Sequence, residues 1–142
     1  MSKACTSFLA VAAMLILAAC NEAPESYYPT YAGAEAAGAI THGWITAGFP
    51  KSAVEIHEKH DLDTNQSMLA FRYGSEQLAF DKDCAQVDPF EPKEPPFKVS
   101  WWPADVPASR FSTYRHVFYS CEGGRAFFAV LPGNTEAFYW RP

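Results

Sequence analysis

His57, His60, Asp61 and Asp63 lie within seven residues of one another in His57-Glu58-Lys59-His60-Asp61-Leu62-Asp63-Thr64-Asn65, and imidazole and carboxylate are the donors of a zinc site. Ser52-Ala53-Val54-Glu55 has the capping-box pattern, in which the Ser hydroxyl and the Glu side chain each satisfy a free backbone N–H, so a short helix is predicted from there to about His60. On such a helix His57 and His60 share a face, and the two aspartates follow closely enough to complete a ligand set. Helical metal pairs more often use a four-residue spacing, and no glutamate stands where a metalloprotease motif needs one. The competing reading is a helix end and its solvated turn, where histidine suits the negative pole of the helix. A calcium loop is excluded: Asp61, Asp63 and Asn65 begin one, but Gln66 occupies the glycine position and Arg72 that of the bidentate glutamate.

Nucleophilic catalysis has no support, because no Gly-x-Ser-x-Gly turn presents a serine. The acidic pairs Asp81/Asp83 and Glu91/Glu94 fall in loop-like segments with no apolar setting to raise one pKa. No catalytic residue is therefore assigned, and the balance leans away from an enzyme. Binding is a different matter. Pro95 and Pro96 in Pro92-Lys93-Glu94-Pro95-Pro96-Phe97 favour an extended backbone, and Trp101-Trp102-Pro103 adds large rigid rings, a composition found at interface hot spots. These four residues are the candidates for contact with a partner. The alternative is that the tryptophans pin the loop to a sheet as core residues.

The elements that would position these groups follow from pattern. Ser67 to Tyr73 alternates with Leu69, Phe71 and Tyr73 on one side, a strand signature, and Ser75 to Cys84 has the pattern of a second short helix. From Asp88 to Pro107 prolines exclude most regular hydrogen bonding, leaving a long ordered loop. Strands are expected over about Ser112–Cys121, Arg125–Leu131 and Glu136–Trp140, joined by Gly123-Gly124 and by Pro132-Gly133, which fits a type II turn. The expected fold is α+β: a small antiparallel sheet of about four strands with one short helix packed on it and a long Pro-rich loop.

The N-terminus carries an address. Lys3 precedes an apolar run from Phe8 to Leu17, followed by Ala18, Ala19 and Cys20; the uncharged stretch is too short to span a bilayer, which takes about 20 residues. Leu17-Ala18-Ala19-Cys20 resembles the lipobox of bacterial lipoproteins. The resemblance implies cleavage before Cys20, a thioether-linked diacylglycerol and an N-acyl chain such as palmitate there, with no other cofactor required. Asn21 after the cysteine resembles the pattern sorted to the outer membrane, facing the periplasm. Residues 1–19 are thus read as signal peptide, 20–40 as a flexible tether and 41–142 as one globular domain. The region Trp44 to Asn65 is similar to exported bacterial proteins without assigned activity.

Cys84 and Cys121 remain as a pair, and an oxidising compartment favours a disulfide between them. The net charge is −5 for the whole chain, which excludes nucleic acid and anionic lipid as main partners. The expected role is a lipid-anchored module that binds another envelope protein or cell-wall component, the alternatives being a metal-binding protein or a structural envelope lipoprotein.

Overall fold

A computed structural model describes residues 23–46, 49–74, 78, 83–107 and 115–142. Its strands are β1 (Glu25–Thr30), β2 (Val54–Asp61), β3 (Gln66–Arg72), β4 (Ala85–Val87), β5 (Val117–Cys121), β6 (Ala126–Val130) and β7 (Glu136–Arg141); α1 (Tyr31–Ala36) follows β1. They form one antiparallel sheet in the order β1-β2-β3-β7-β6-β5-β4. The expectation of an α+β fold with about four strands is therefore corrected. Seven strands dominate the described residues, and α1 is only six residues long.

The helix expected from Ser52 to His60 is strand β2. Ser52 Oγ accepts there from the Gly74 N–H at 2.8 Å, 22 residues away. Glu55, the would-be capping partner, has φ +52° and lies in a bulge between Val54 and His57. The tether expected over 20–40 gives way to structure by Glu25, since β1 pairs with β2 and Ala34 and Ala39 are fully buried. Pro29 is tolerated in β1 because that strand is an edge, where a missing N–H breaks no ladder. The helix expected from Ser75 to Cys84 lies almost wholly outside the described residues.

The C-terminal hairpins agree with expectation over the described residues. Gly123 and Gly124 have φ +67° and +86°, and Gly133 has φ +78°, as tight reversals demand. Cys84 and Cys121 form a disulfide that ties β4's N-terminal end to β5.

Two chain segments cover the two faces of the sheet. Residues 31–46 and 49–53 lay Ala34, Ala39, Ile45, Phe49 and Ala53 over Ile56, Leu69, Phe71, Ala137 and Tyr139. The Pro-rich segment 88–107 lays Phe97, Val99, Trp101, Trp102 and Val106 over Met68, Ala70, Phe118, Phe138 and Trp140. β3 and β7 are thus buried on both sides, so Met68-Leu69-Ala70-Phe71 and Ala137 to Trp140 are unbroken runs of buried residues.

Candidate functional site

On the face beneath the Pro-rich segment, a cleft of about 370 Å³ opens between the sheet and Ser100 to Pro103. Its floor follows from strand register: His57 stands opposite Ala70, and Ala70 opposite Phe138. The small Ala70 leaves a trough between two rings. One wall is Trp101 and Trp102, in edge contact at 6.0 Å between centroids. The rim carries Glu55, Arg72 and Glu136: Arg72 Nη1 lies 3.7 Å from Glu55 Oε2, and Arg72 is registered opposite Glu136.

The walls are fixed from behind. Trp101 Nε1 donates to Glu25 Oε1 at 2.7 Å, and its ring stacks on His57 at 5.3 Å, which in turn meets Tyr27 at 4.8 Å. Trp102 Nε1 donates to the Val106 carbonyl at 2.6 Å while its ring sits edge-on to Phe138 and Trp140. Both tryptophans therefore pin the loop to the sheet, and the same rings line the cleft. Pro95 and Pro96 lie farther back in that segment, half-buried and not among the cleft-lining residues.

The four residues expected as metal ligands are not brought together. In a strand, side chains three apart point to opposite faces. His57 faces Trp101, whereas His60 is buried on the other face with its ring 4.4 Å from Trp44. Asp61 Oδ1 accepts from the N–H groups of Asp63 and Thr64, closing the β2–β3 turn, where Asn65 has φ +60°. The aspartates thus serve the hairpin, and Asp63 is exposed.

The opposite face holds a polar group the sequence reading passed over. Glu58 is fully buried, and His60 Nδ1 lies 2.6 Å from its Oε1. Burial pushes the Glu58 carboxyl up to about 8. Burial also lowers His60, against the pull of Asp61. Burial thus favours the neutral form of each member of the pair. Trp44 is stacked between His60 and His42, and Gly38 gives His42 its place, since a Cβ there would meet the imidazole at 2.9 Å. In register His60 faces Ser67 and Ser67 faces Arg141. Arg141 Nη2 bonds both oxygens of Glu122, at 2.9 and 2.7 Å, and Tyr139, pushed up to about 12 by burial, donates to Glu122. Glu58 Oε2, His60 Nε2 and Arg141 Nε are buried without a protein partner. A protonated carboxyl is the form a general acid requires, but Glu58 and His60 are closed to solvent, and their contacts join the 31–53 segment to the sheet.

Glu55, Arg72 and Glu136 have no binding role legible in the sequence. They are ordinary surface charges along the chain and become a rim only through the pairing of β2, β3 and β7.

Residues 22–72 match the family described as the YbbD head domain. That match is in keeping with a bacterial protein of exported type. It takes in β1, α1, β2 and β3, with Trp44, Glu58 and His60, and ends at Arg72, so the Trp101–Trp102 wall and Glu136 lie outside it. No curated protein and no solved structure matches the chain.

Proposed function

We propose that the protein is a lipid-anchored module of the bacterial cell envelope that binds another envelope component without transforming it. The observation that carries this reading is the cleft beneath Trp101 and Trp102, whose volume of about 370 Å³ lies at the lower end of ligand-sized pockets. Anchoring rests on Leu17-Ala18-Ala19-Cys20, and the match to an exported type of domain supports the same compartment. The disulfide Cys84–Cys121 is stable in an oxidising periplasm.

The anchor and the cleft are close along the chain. Glu25 lies five positions after Cys20, a reach of at most about 18 Å, and Glu25 accepts the hydrogen bond from Trp101. A ligand in the cleft is then held near the leaflet carrying the lipid, and two or three acyl chains make the tether lasting. Of the envelope leaflets, the outer membrane's periplasmic face is favoured by Asn21. The negative net charge leaves nucleic acid aside.

The test combines two measurements on the chain expressed with its own N-terminus. Intact mass of the membrane-extracted protein should show cleavage before Cys20 and added acyl mass. A photo-cross-linking side chain at position 100, an exposed residue lining the cleft, should label an envelope component, and the same group at exposed Asp63 should not. An unprocessed N-terminus would remove the anchor, and equal labelling from both positions would remove the cleft.

A further inference from the structure

We infer that the Trp101–Trp102 cleft is a saccharide subsite that takes a neutral pyranose unit of an envelope glycan; this rests on the binding function proposed above and names the ligand class for the same cleft. Three features of the lining point to that chemistry.

The first is charge compensation. Glu55 lies 3.7 Å from Arg72, Arg72 is opposite Glu136 across the β3–β7 pair, and Glu136 accepts from Asn134 Nδ2 at 3.3 Å. Two carboxylates and one guanidinium leave one net negative charge on the rim, which disfavours an anion, while the guanidinium offsets half of the carboxylate charge that would attract a cation. They do place planar donors and acceptors side by side: each carboxylate offers two oxygens, and the guanidinium five N–H groups in a fork. A sugar hydroxyl donates and accepts at once, so vicinal hydroxyls match such an alternating rim, whereas a lone ammonium or carboxylate uses only half of it.

The second is the wall. Indole rings take the apolar C–H face of a pyranose as they take any flat apolar surface. Trp101 is held by its bond to Glu25 and its stack on His57, and Trp102 by its bond to the Val106 carbonyl. A wall immobilised in advance loses little entropy when the ligand arrives. The third is the trough. Ala70 lies between His57 and Phe138 in register, so a floor of aromatic edges has a gap where a ring can settle.

The test uses the full lipid-modified chain in zwitterionic detergent micelles, which avoids sugar-headed detergents, and follows the indole N–H signals of Trp101 and Trp102 by NMR. Chitotriose and maltotriose are titrated as saccharide probes and Nα-acetyl-lysine amide as a cationic one. At least one saccharide should shift both indole signals, with an affinity that changes less than twofold between 50 and 500 mM salt. Arg72→Gln, at an exposed strand position, should weaken binding at least tenfold, with the remaining indole signals unchanged as a check on folding; Trp101→Ala should abolish it. Purified sacculi then separate a polymer from a free sugar: co-sedimentation lost in Arg72→Gln places the unit in a wall glycan. A shift with the lysine probe alone, falling steeply with salt, overturns the saccharide assignment and leaves the binding function standing. No shift with any probe overturns both.

Discussion

Glu58 and His60 stand on one face of β2, two residues apart, and share a 2.6 Å hydrogen bond with both side chains shut off from water. Hydropathy alone would put neither there. The arrangement holds because each satisfies part of the other, and because the Trp44 ring covers His60 while fixing the 31–53 segment on the sheet. Their burial has a direct consequence for pH.

Glu58 keeps its proton in the folded protein up to about pH 8 but loses it near 4.5 when unfolded. Between those values the native state binds the extra proton, so stability falls as pH rises. His60 and His116, both lowered by burial, act in the opposite sense only below about 6.5, where the unfolded chain takes up protons that the native state refuses. From about pH 6.5 to 8 the slope should therefore be negative and approach roughly 1.4 kcal/mol per pH unit. Urea melts across that range measure it. Glu58→Gln, which keeps the shape and cannot ionise, should flatten the profile; an equally steep wild-type slope in that variant would reject the assignment.

The sequence made parts of this fold readable where one physical signal acted alone. Alternation and turn glycines marked β3, β6 and β7, and the one remaining cysteine pair marked the disulfide. β2 was hidden because its core face reads Ile56, Glu58, His60, so that burial carried no hydropathic alternation, and because Ser52 and Glu55 imitate a capping box. β1 was hidden by Pro29 and by an alanine-rich continuation that gains its burial only from residues far along the chain. The cleft is legible in halves: Trp101 and Trp102 stand out, while Glu55, Arg72 and Glu136 meet them only through tertiary register.

Removing the disulfide should be costly. Cys84 and Cys121 are separated by 37 residues, and in the chain-entropy picture a bridge of that span contributes about 4 kcal/mol. It also holds the three-residue edge strand β4 and closes the loop that contains the Pro-rich cover. Cys84→Ser with Cys121→Ser is expected to lower stability by about 2–4 kcal/mol, and reductant should do the same to the wild type but leave the double variant unchanged. Calorimetry with and without reductant decides it.

Beside the Trp101–Glu25 bond, two indole N–H groups brace the Pro-rich segment, one reaching it from the sheet and one within it. Trp140 Nε1 donates to the Lys93 carbonyl at 2.8 Å, and Trp102 Nε1 to that of Val106 at 2.6 Å. Trp140→Phe keeps a ring in the core and deletes the first bond, at about 1–2 kcal/mol. Exposed Lys93 and Lys98 lie in the released stretch. Limited trypsinolysis at these lysines should therefore accelerate in Trp140→Phe and Trp102→Phe, and unchanged rates would show that apolar packing alone holds the cover.

Glu122 and Arg141 join the β5–β6 turn to the last strand. Glu122 has φ +54°, a left-handed backbone, which turns its carboxylate back to meet Arg141 Nη2 through both oxygens and Tyr139 through one. Both side chains are about one-third exposed or less, so screening is partial and the coupling should exceed that of an open surface pair. Glu122→Gln, Arg141→Met and the double variant form a cycle whose interaction energy is expected at about 1–2 kcal/mol, decreasing with added salt. Because Arg141 Nε already lacks a protein partner, Glu122→Gln should be the costlier of the two single changes, stranding a half-buried cation. A coupling below about 0.3 kcal/mol would reduce the contact to an ordinary exposed ion pair.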